Sequence, residues 1–332
     1  MQNILFNQFV PLFALVFTIT WMLTPTWIKI AKRGDLSGRD IHKASERQVA
    51  EMGGIVVIFG FVIGVMGYVG MRVFLFNAQT NVLEILAILS AILISAVIGI
   101  LDDVLGWKIG LKQWQKPILT SLVALPIMAI NGGVNSMSIP LIGMIDFGIL
   151  YPLIFIPIAI IIASNSFNML AGFNGLEAGM GVIIIGALSY LSYIGGAQYL
   201  AVIGLVMAFA LLGFLMFNKY PAKVFGGDTL TYSVGAFCAI MAILANQERA
   251  LIILFIPYAA QFFLKLRGRF RKESFAKLKE DGTLEPRYDK FYGIENLMVF
   301  VLGKFGFNVS ERKTVYGLYL VEIVFVIIVL VI

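Results

Sequence analysis

Four groups of polar residues interrupt an otherwise apolar chain of 332 residues, and their types suit phosphate chemistry. Asp102 and Asp103 follow the apolar run ISAVIGIL, and Lys108, Lys112 and Lys116 come soon after. A solvated helix end would explain an Asp pair by itself. Carboxylates interleaved with ammonium groups also suit a site that holds a metal and phosphates together. The stretch from Asn165 to Glu177, N-S-F-N-M-L-A-G-F-N-G-L-E, places Asn165, Asn168 and Asn174 close together. Asn165 and Asn168 are three apart and share one face of a helix, while Gly172 and Gly175 allow a break and a close backbone approach to a ligand. An amide oxygen can coordinate a hard cation, and an amide pair can read a planar base edge. A polar contact between packed helices is the plainer reading.

The third group is V-F-G-G-D-T, where Gly226 and Gly227 let the chain turn before Asp228. Asp228 suits a helix cap. It also suits Mg²⁺, which keeps several waters and takes only one or two protein carboxylates beside substrate phosphates. The fourth group is Arg267, Arg269, Arg271 and Lys272. Such a cluster flanks many membrane spans, yet Arg also grips phosphate with planar, bidentate geometry. An early loop adds Asp35, Arg39, Asp40, His42, Lys43 and Glu51, with Gly53 and Gly54 behind them. His42 is the only histidine, which excludes a multi-histidine zinc site and reads most simply as a solvated loop residue.

The elements that must hold these residues are membrane helices. Hydrophobic residues make up 60% of the chain and charged ones 13%, against about 25% charged in soluble domains; mean hydropathy is +0.92. The apolar runs are long and continuous, unlike the short alternating segments of a β-barrel. Ten spans are expected, near 5–30, 54–76, 83–101, 117–131, 149–165, 180–195, 198–217, 229–246, 249–266 and 314–332. The fold class is therefore all-α and polytopic, a single catalytic domain over 1–332 in which 265–313 is a polar loop. The first span is too long and lacks the basic leader of a cleavable signal. Loops after the odd-numbered spans and their flanks hold all 25 Lys and Arg except Arg72 and Arg249. By the positive-inside rule that side is cytoplasmic and both termini lie opposite. The net charge of +6 is then a topology signal, with no nucleic-acid partner implied. Cys238, the single cysteine, falls in an apolar span and reads as a small packing residue.

No Walker-type loop, Ser-His-Asp set or dinucleotide fingerprint is present, and all four groups fall on the cytoplasmic side. A secondary transporter of anionic solutes would also use broken helices and buried charges, but near the midplane and with repeat symmetry. Taken in order, G-R-D-I-H-K with A-E-M-G-G, L-D-D-V-L-G-W with Lys116, the Asn165–Glu177 stretch, V-F-G-G-D-T, Arg267–Lys272 and the S-E-R at 310–312 resemble the polyprenyl-phosphate N-acetylhexosamine-1-phosphate transferases. The resemblance runs from about Gly34 to Arg312. The wording N-M-L-A-G-F-N-G-L-E is most similar to the dolichyl-phosphate GlcNAc-1-phosphotransferase branch of eukaryotes and archaea. The histidine-rich late loop of the phospho-MurNAc-pentapeptide enzymes is missing, and Gly268 stands where the eukaryotic branch has His.

This resemblance implies transfer of GlcNAc-1-phosphate from UDP-GlcNAc, or another UDP-N-acetylated sugar, to a polyprenyl or dolichyl phosphate, releasing UMP. It implies Mg²⁺, with Mn²⁺ able to replace it, held by Asn168 and Asp228. Arg267 and Arg269 would contact the diphosphate, and uracil would lie near Gly172, Asn174 and Phe225. Lys116 would neutralise phosphate charge, Asp102 and Asp103 would lie beside the lipid phosphate, Glu51 near the nucleotide sugar, and Asn165 would support Asn168. Direct attack by the lipid phosphate, aided by Asp102 as base, and a two-step route through a phospho-Asp both remain open. The resemblance also implies inhibition by tunicamycin and allows a homodimer, and the short loops suit an archaeal plasma membrane.

Overall fold

In a computed structural model describing residues 7–41, 48–139 and 143–332, the apolar runs become helices, and the described strands form three two-stranded antiparallel ribbons. His42 and Lys43 lie outside the described residues. The helices are α1 (Val10–Arg33), α2 (Gly54–Leu75), α3 (Val82–Ile109), α4 (Gln115–Ala129), α5 (Tyr151–Met169), α6 (Leu176–Ile194) and α7 (Gln198–Asn218). After them come α8 (Gly227–Leu244), α9 (Glu248–Leu254), α10 (Ile256–Arg267), α11 (Ile294–Lys304) and α12 (Glu311–Val331). The ribbons pair β1 (Ser37–Arg39) with β2 (Gln48–Ala50), β3 (Ser136–Ile139) with β4 (Gly143–Asp146), and β5 (Lys277–Leu278) with β6 (Leu284–Glu285).

Among the described residues eight helices are long and apolar enough to cross a bilayer, and α9 with α10 adds a ninth if the bent pair is one span. The pair bends by 53°. Pro257 opens α10, where its missing N–H and its ring break the hydrogen-bond ladder to the preceding turn. The expected fourth span is realised as α4, which carries a 3₁₀ turn at Leu122–Ala124. At 1.5 Å per residue α4 is about 22 Å long, short of the roughly 30 Å apolar slab. Two boundaries differ in ways that matter for chemistry. α3 runs on past the expected end at 101, so Asp102 and Asp103 lie on a helix, and α5 runs to Met169, so both Asn165 and Asn168 do as well.

α8 is the hub. In it 83% of the apolar window is buried, against 28% in each of α1 and α12. It packs against α3 and α5, while α6 packs on α7 and α1 on α7 at the periphery. In lipid, helices associate by close van der Waals approach, which small residues permit. A Cβ on Gly99 of α3 would sit 2.4 Å from the Thr229 Cα, and one on Gly235 of α8 would sit 2.5 Å from the Ala163 carbonyl oxygen of α5. These contacts bring the polar ends of α3 and α5 against the first turn of α8.

Candidate active site

Consecutive residues on a helix diverge by about 100°, so Asp102 and Asp103 face different neighbours. Asp103 reaches the first turn of α8. That helix starts after Gly226, which has no side chain to cap it, and the leading N–H groups of a helix need outside acceptors. Asp103 supplies them from another helix: Oδ1 accepts from the Asp228 N–H at 2.7 Å, and Oδ2 from the Thr229 N–H at 3.0 Å and the Thr229 hydroxyl at 2.7 Å. Gly99, one turn before Asp103, allows the approach. Gly227 adopts φ +73°, and a Cβ there would meet the Asp103 carboxylate at 2.6 Å. Asp228 is thus held by its backbone, and its side chain does no capping.

Asp102 faces α4 and the middle of α8 and is 5% exposed. Its Oδ2 accepts from Lys116 Nζ at 2.7 Å and from the Tyr232 hydroxyl at 2.9 Å, and its Oδ1 from the Leu111 N–H at 3.0 Å. Lys116 also lies 3.4 Å from Asp228 Oδ2, so one ammonium bridges the two carboxylates. Asn165 stiffens this arrangement. Its Nδ2 donates to the Thr120 hydroxyl at 2.9 Å, and that hydroxyl donates to the Lys116 carbonyl at 2.9 Å. Tyr232 stands four residues after Asp228, on the same face of α8.

A cavity of about 360 Å³ opens beside this cluster, lined by Asn168, Gly172, Phe225 and Asp228 together with Arg39, Lys265 and Phe275. Gly172 has φ +104°, donates its N–H to Glu177 Oε1 at 2.6 Å, and packs so closely on Phe275 that a Cβ would lie 2.3 Å from the ring. Phe225 is fixed by strand-like bonds: its N–H donates to Ala50, and its carbonyl accepts from Gly53.

Other expected site residues fall elsewhere. Asn174 is buried, donating from Nδ2 to Asp40 and to Glu311 at 3.0 Å each and from its backbone N–H to Glu311 at 2.7 Å. It ties the early loop to the start of α12, which gives the S-E-R stretch a structural part. Glu51 packs against Gly38, outside the described cavity lining. Burial, and secondarily the Asp103 charge, raises its pKa above the ordinary carboxylate value. Arg267 and Arg269 are exposed and also stand outside the described lining. The cations that do line the cavity are Arg39 and Lys265.

The donor set fits a hard cation. Among the described residues no cluster of three or more His, Cys, Asp or Glu could hold a metal, so a mostly protein-built cage is absent. Of the carboxylates in the lining, Glu177 holds the Gly172 amide and Asp40 accepts from Asn174, while Asp228 has the long Lys116 contact beside the neighbouring Asp102. One available carboxylate with the Asn168 amide oxygen matches a Mg²⁺ that keeps waters and takes phosphate oxygens.

The sequence profile of glycosyl transferase family 4 matches residues 85–246, a window containing Asp102, Asp103, Lys116, Asn168 and Asp228. A Saccharolobus solfataricus protein, provisionally named UDP-N-acetylglucosamine–dolichyl-phosphate N-acetylglucosaminephosphotransferase, is 36% identical over 314 residues, covering 94% of this chain and 92% of its own. The chain belongs to glycosyl transferase family 4. The Dictyostelium discoideum UDP-N-acetylglucosamine–dolichyl-phosphate N-acetylglucosaminephosphotransferase is 27% identical over 290 residues, 76% of this chain and 70% of that one. The phospho-N-acetylmuramoyl-pentapeptide-transferase of Halalkalibacterium halodurans is 31% identical over 256 residues, covering 72% of this chain and 76% of that one. Membership of this family of integral membrane transferases displaces the transporter reading. Glu51, Lys265, Arg267 and Arg269 lie outside the family window.

Proposed function

We propose that this protein transfers GlcNAc-1-phosphate from UDP-GlcNAc to a dolichyl-type polyprenyl phosphate at the cytoplasmic face of a prokaryotic plasma membrane. The observation that carries the reading is one cavity at the helix ends that joins Asp228, Asn168 and two cations, with Lys116 clamped beside it. With ten spans, all of the 25 Lys and Arg except Arg72 and Arg249 fall on one side, which the positive-inside rule makes cytoplasmic, with both termini outside. A soluble nucleotide sugar then arrives from the cytoplasm and a lipid phosphate from the bilayer.

An oxygen of the lipid phosphate attacks the β-phosphorus of the UDP-sugar; a new P–O bond forms as the bond to the bridging oxygen of UMP breaks. A phosphate monoester is largely dianionic at pH 7, its second pKa being about 6, so the nucleophile needs little help from a base. Asp102 instead orients Lys116, whose ammonium offsets charge on the transferring phosphoryl group. Asp228 and Asn168 would hold Mg²⁺, which when bound would neutralise diphosphate charge. Phe225 and Phe275, the latter packed on Gly172, offer flat walls for the uracil. Asp103, whose two oxygens accept from the first turn of α8, fixes where Asp228 stands.

Purified protein, Mg²⁺, dolichyl or polyprenyl phosphate and a panel of UDP-sugars form the test, read as UMP release. UDP-GlcNAc is expected to be the best donor. Release from none of the donors would defeat the reading, and preference for another UDP-N-acetylated sugar would reassign the donor.

A further inference from the structure

Two exposed arginines, Arg267 and Arg269, were the expected diphosphate contacts, yet neither is among the described residues that line the cavity. Gly268 between them cannot supply a replacement. It is buried, and a Cβ there would lie 2.9 Å from the Tyr292 ring and 3.0 Å from Lys272 Cβ. What reaches the cavity from this region is Lys265, one turn earlier on α10.

The placement of Lys265 is built. Gln261 lies four residues before it, on the same face of α10, and is fully buried. Its Nε2 donates to the Met169 carbonyl at 2.9 Å and to Glu295 Oε1 at 2.9 Å, while its Oε1 accepts from the Ile294 N–H at 2.7 Å. The Met169 carbonyl follows Asn168 directly. Gln261 therefore pins α10 to the end of α5 and to the start of α11, and the next turn brings Lys265 into the lining of the cavity that Asn168 and Asp228 share. Glu295 is fully buried with its Oε2 unpartnered, and a Cβ on Gly293 would touch that oxygen at 2.4 Å.

We propose that Lys265, held by the Gln261–Glu295 pair, is the residue that takes the nucleotide diphosphate in this chain. The assignment rests on the transfer reading above for its ligand, a nucleoside diphosphate, and on the cavity for its geometry. A long, flexible ammonium donor grips phosphate as a point charge, in contrast to the bidentate fork of Arg. Lys265 can follow the β-phosphate as it changes partners without the fixed approach a guanidinium demands.

The test compares binding of UDP and of uridine to the purified full chain with Mg²⁺, alongside KM and kcat for UMP release. K265M is expected to weaken UDP about 10- to 100-fold, the value of one charged contact, and to leave uridine unchanged. K265R is expected to recover part of the loss, K277M none being lost. The effect of K265M on UDP is expected to exceed that of the R267A/R269A double variant. Equal loss of UDP and uridine, a larger loss in the double variant, or unchanged UDP binding in K265M would each overturn the assignment. Wild-type protein that binds UDP but releases UMP from no donor would defeat the transfer reading while leaving the Lys265 contrast to be read. Wild-type protein that binds no UDP would overturn both.

Discussion

Asp103→Ala separates positioning from chemistry. The carboxylate accepts three hydrogen bonds from the first turn of α8, two from backbone N–H groups and one from the Thr229 hydroxyl. Losing a capping side chain costs about 1 kcal/mol, up to 2; each hydrogen bond to a charged group contributes about 1.5–3 kcal/mol. The donors are largely shielded from water, so the expected loss lies between one cap and the full sum, about 3–5 kcal/mol. Turnover should also fall by about 10²-fold, because a displacement near 1 Å at a reacting group is enough to do that, and Asp228 hangs on one of these bonds. Asp228→Ala should behave in the opposite way. Its side chain caps nothing, so the protein should melt near the wild-type temperature and be inactive. Thermal unfolding in detergent, followed by intrinsic fluorescence beside UMP release, reads both quantities. Asp103→Asn, which keeps one acceptor oxygen, should fall between Ala and wild type. If Asp103→Ala melts with wild type while Asp228→Ala is the unstable one, the trans-cap argument is wrong.

Two further outcomes follow from the same geometry. Lys116→Met leaves Asp102 and Asp228 facing each other without a shared cation; kcat should drop about 10²-fold or more, with a smaller change in KM for the donor. A variant that changes KM alone would place Lys116 in ground-state binding only. Glu295, on α11 outside the spans, is raised from its ordinary 4.5 to about 7 by burial, with Lys265 opposing. The folded protein then holds a proton that the unfolded chain releases, so this stability is complete below about pH 4.5 and is lost as pH rises through about 7. The shift corresponds to roughly 3 kcal/mol. Melting temperature should therefore decline between pH 5 and 8 more steeply in wild type than in Glu295→Gln; parallel curves would refute it.

Much of the site is legible because charge and amide groups stand out against an apolar chain. Asp102, Asp103, Lys116, Asn168 and Asp228 are all visible that way, and the structure brings them to one helix junction. Their division of labour is not visible. Ending α3 at 101 leaves the two aspartates as equivalent loop residues, whereas continuing the helix through them turns one toward Lys116 and the other toward α8. Tyr232 sits at helical spacing from Asp228, but an aromatic in an apolar span reads as packing until its hydroxyl is seen on Asp102. Lys265 was hidden for a different reason. Its place depends on the 53° bend after α9 and on a Gln261–Glu295 bond spanning 34 residues, and neither has a local signature.

The trans-cap also decides how phosphate charge can be met at the end of α8. A helix N-terminus with free N–H groups is a ready anion site, and the buried hub helix points its N-terminus at the cavity. Here Asp103 occupies the Asp228 and Thr229 N–H groups, so a phosphate arriving there would meet a carboxylate in place of open donors. The polar end of α8 is used to hold Asp228 still, and phosphate charge must be met by side chains and a hard cation. Lys116 approaches from α4, Lys265 from α10 and Arg39 from the early loop, three elements distant in sequence. The site is therefore assembled by packing, and a change such as Gly99→Leu, which forces α3 away from Thr229, should lower activity without touching any group that binds substrate.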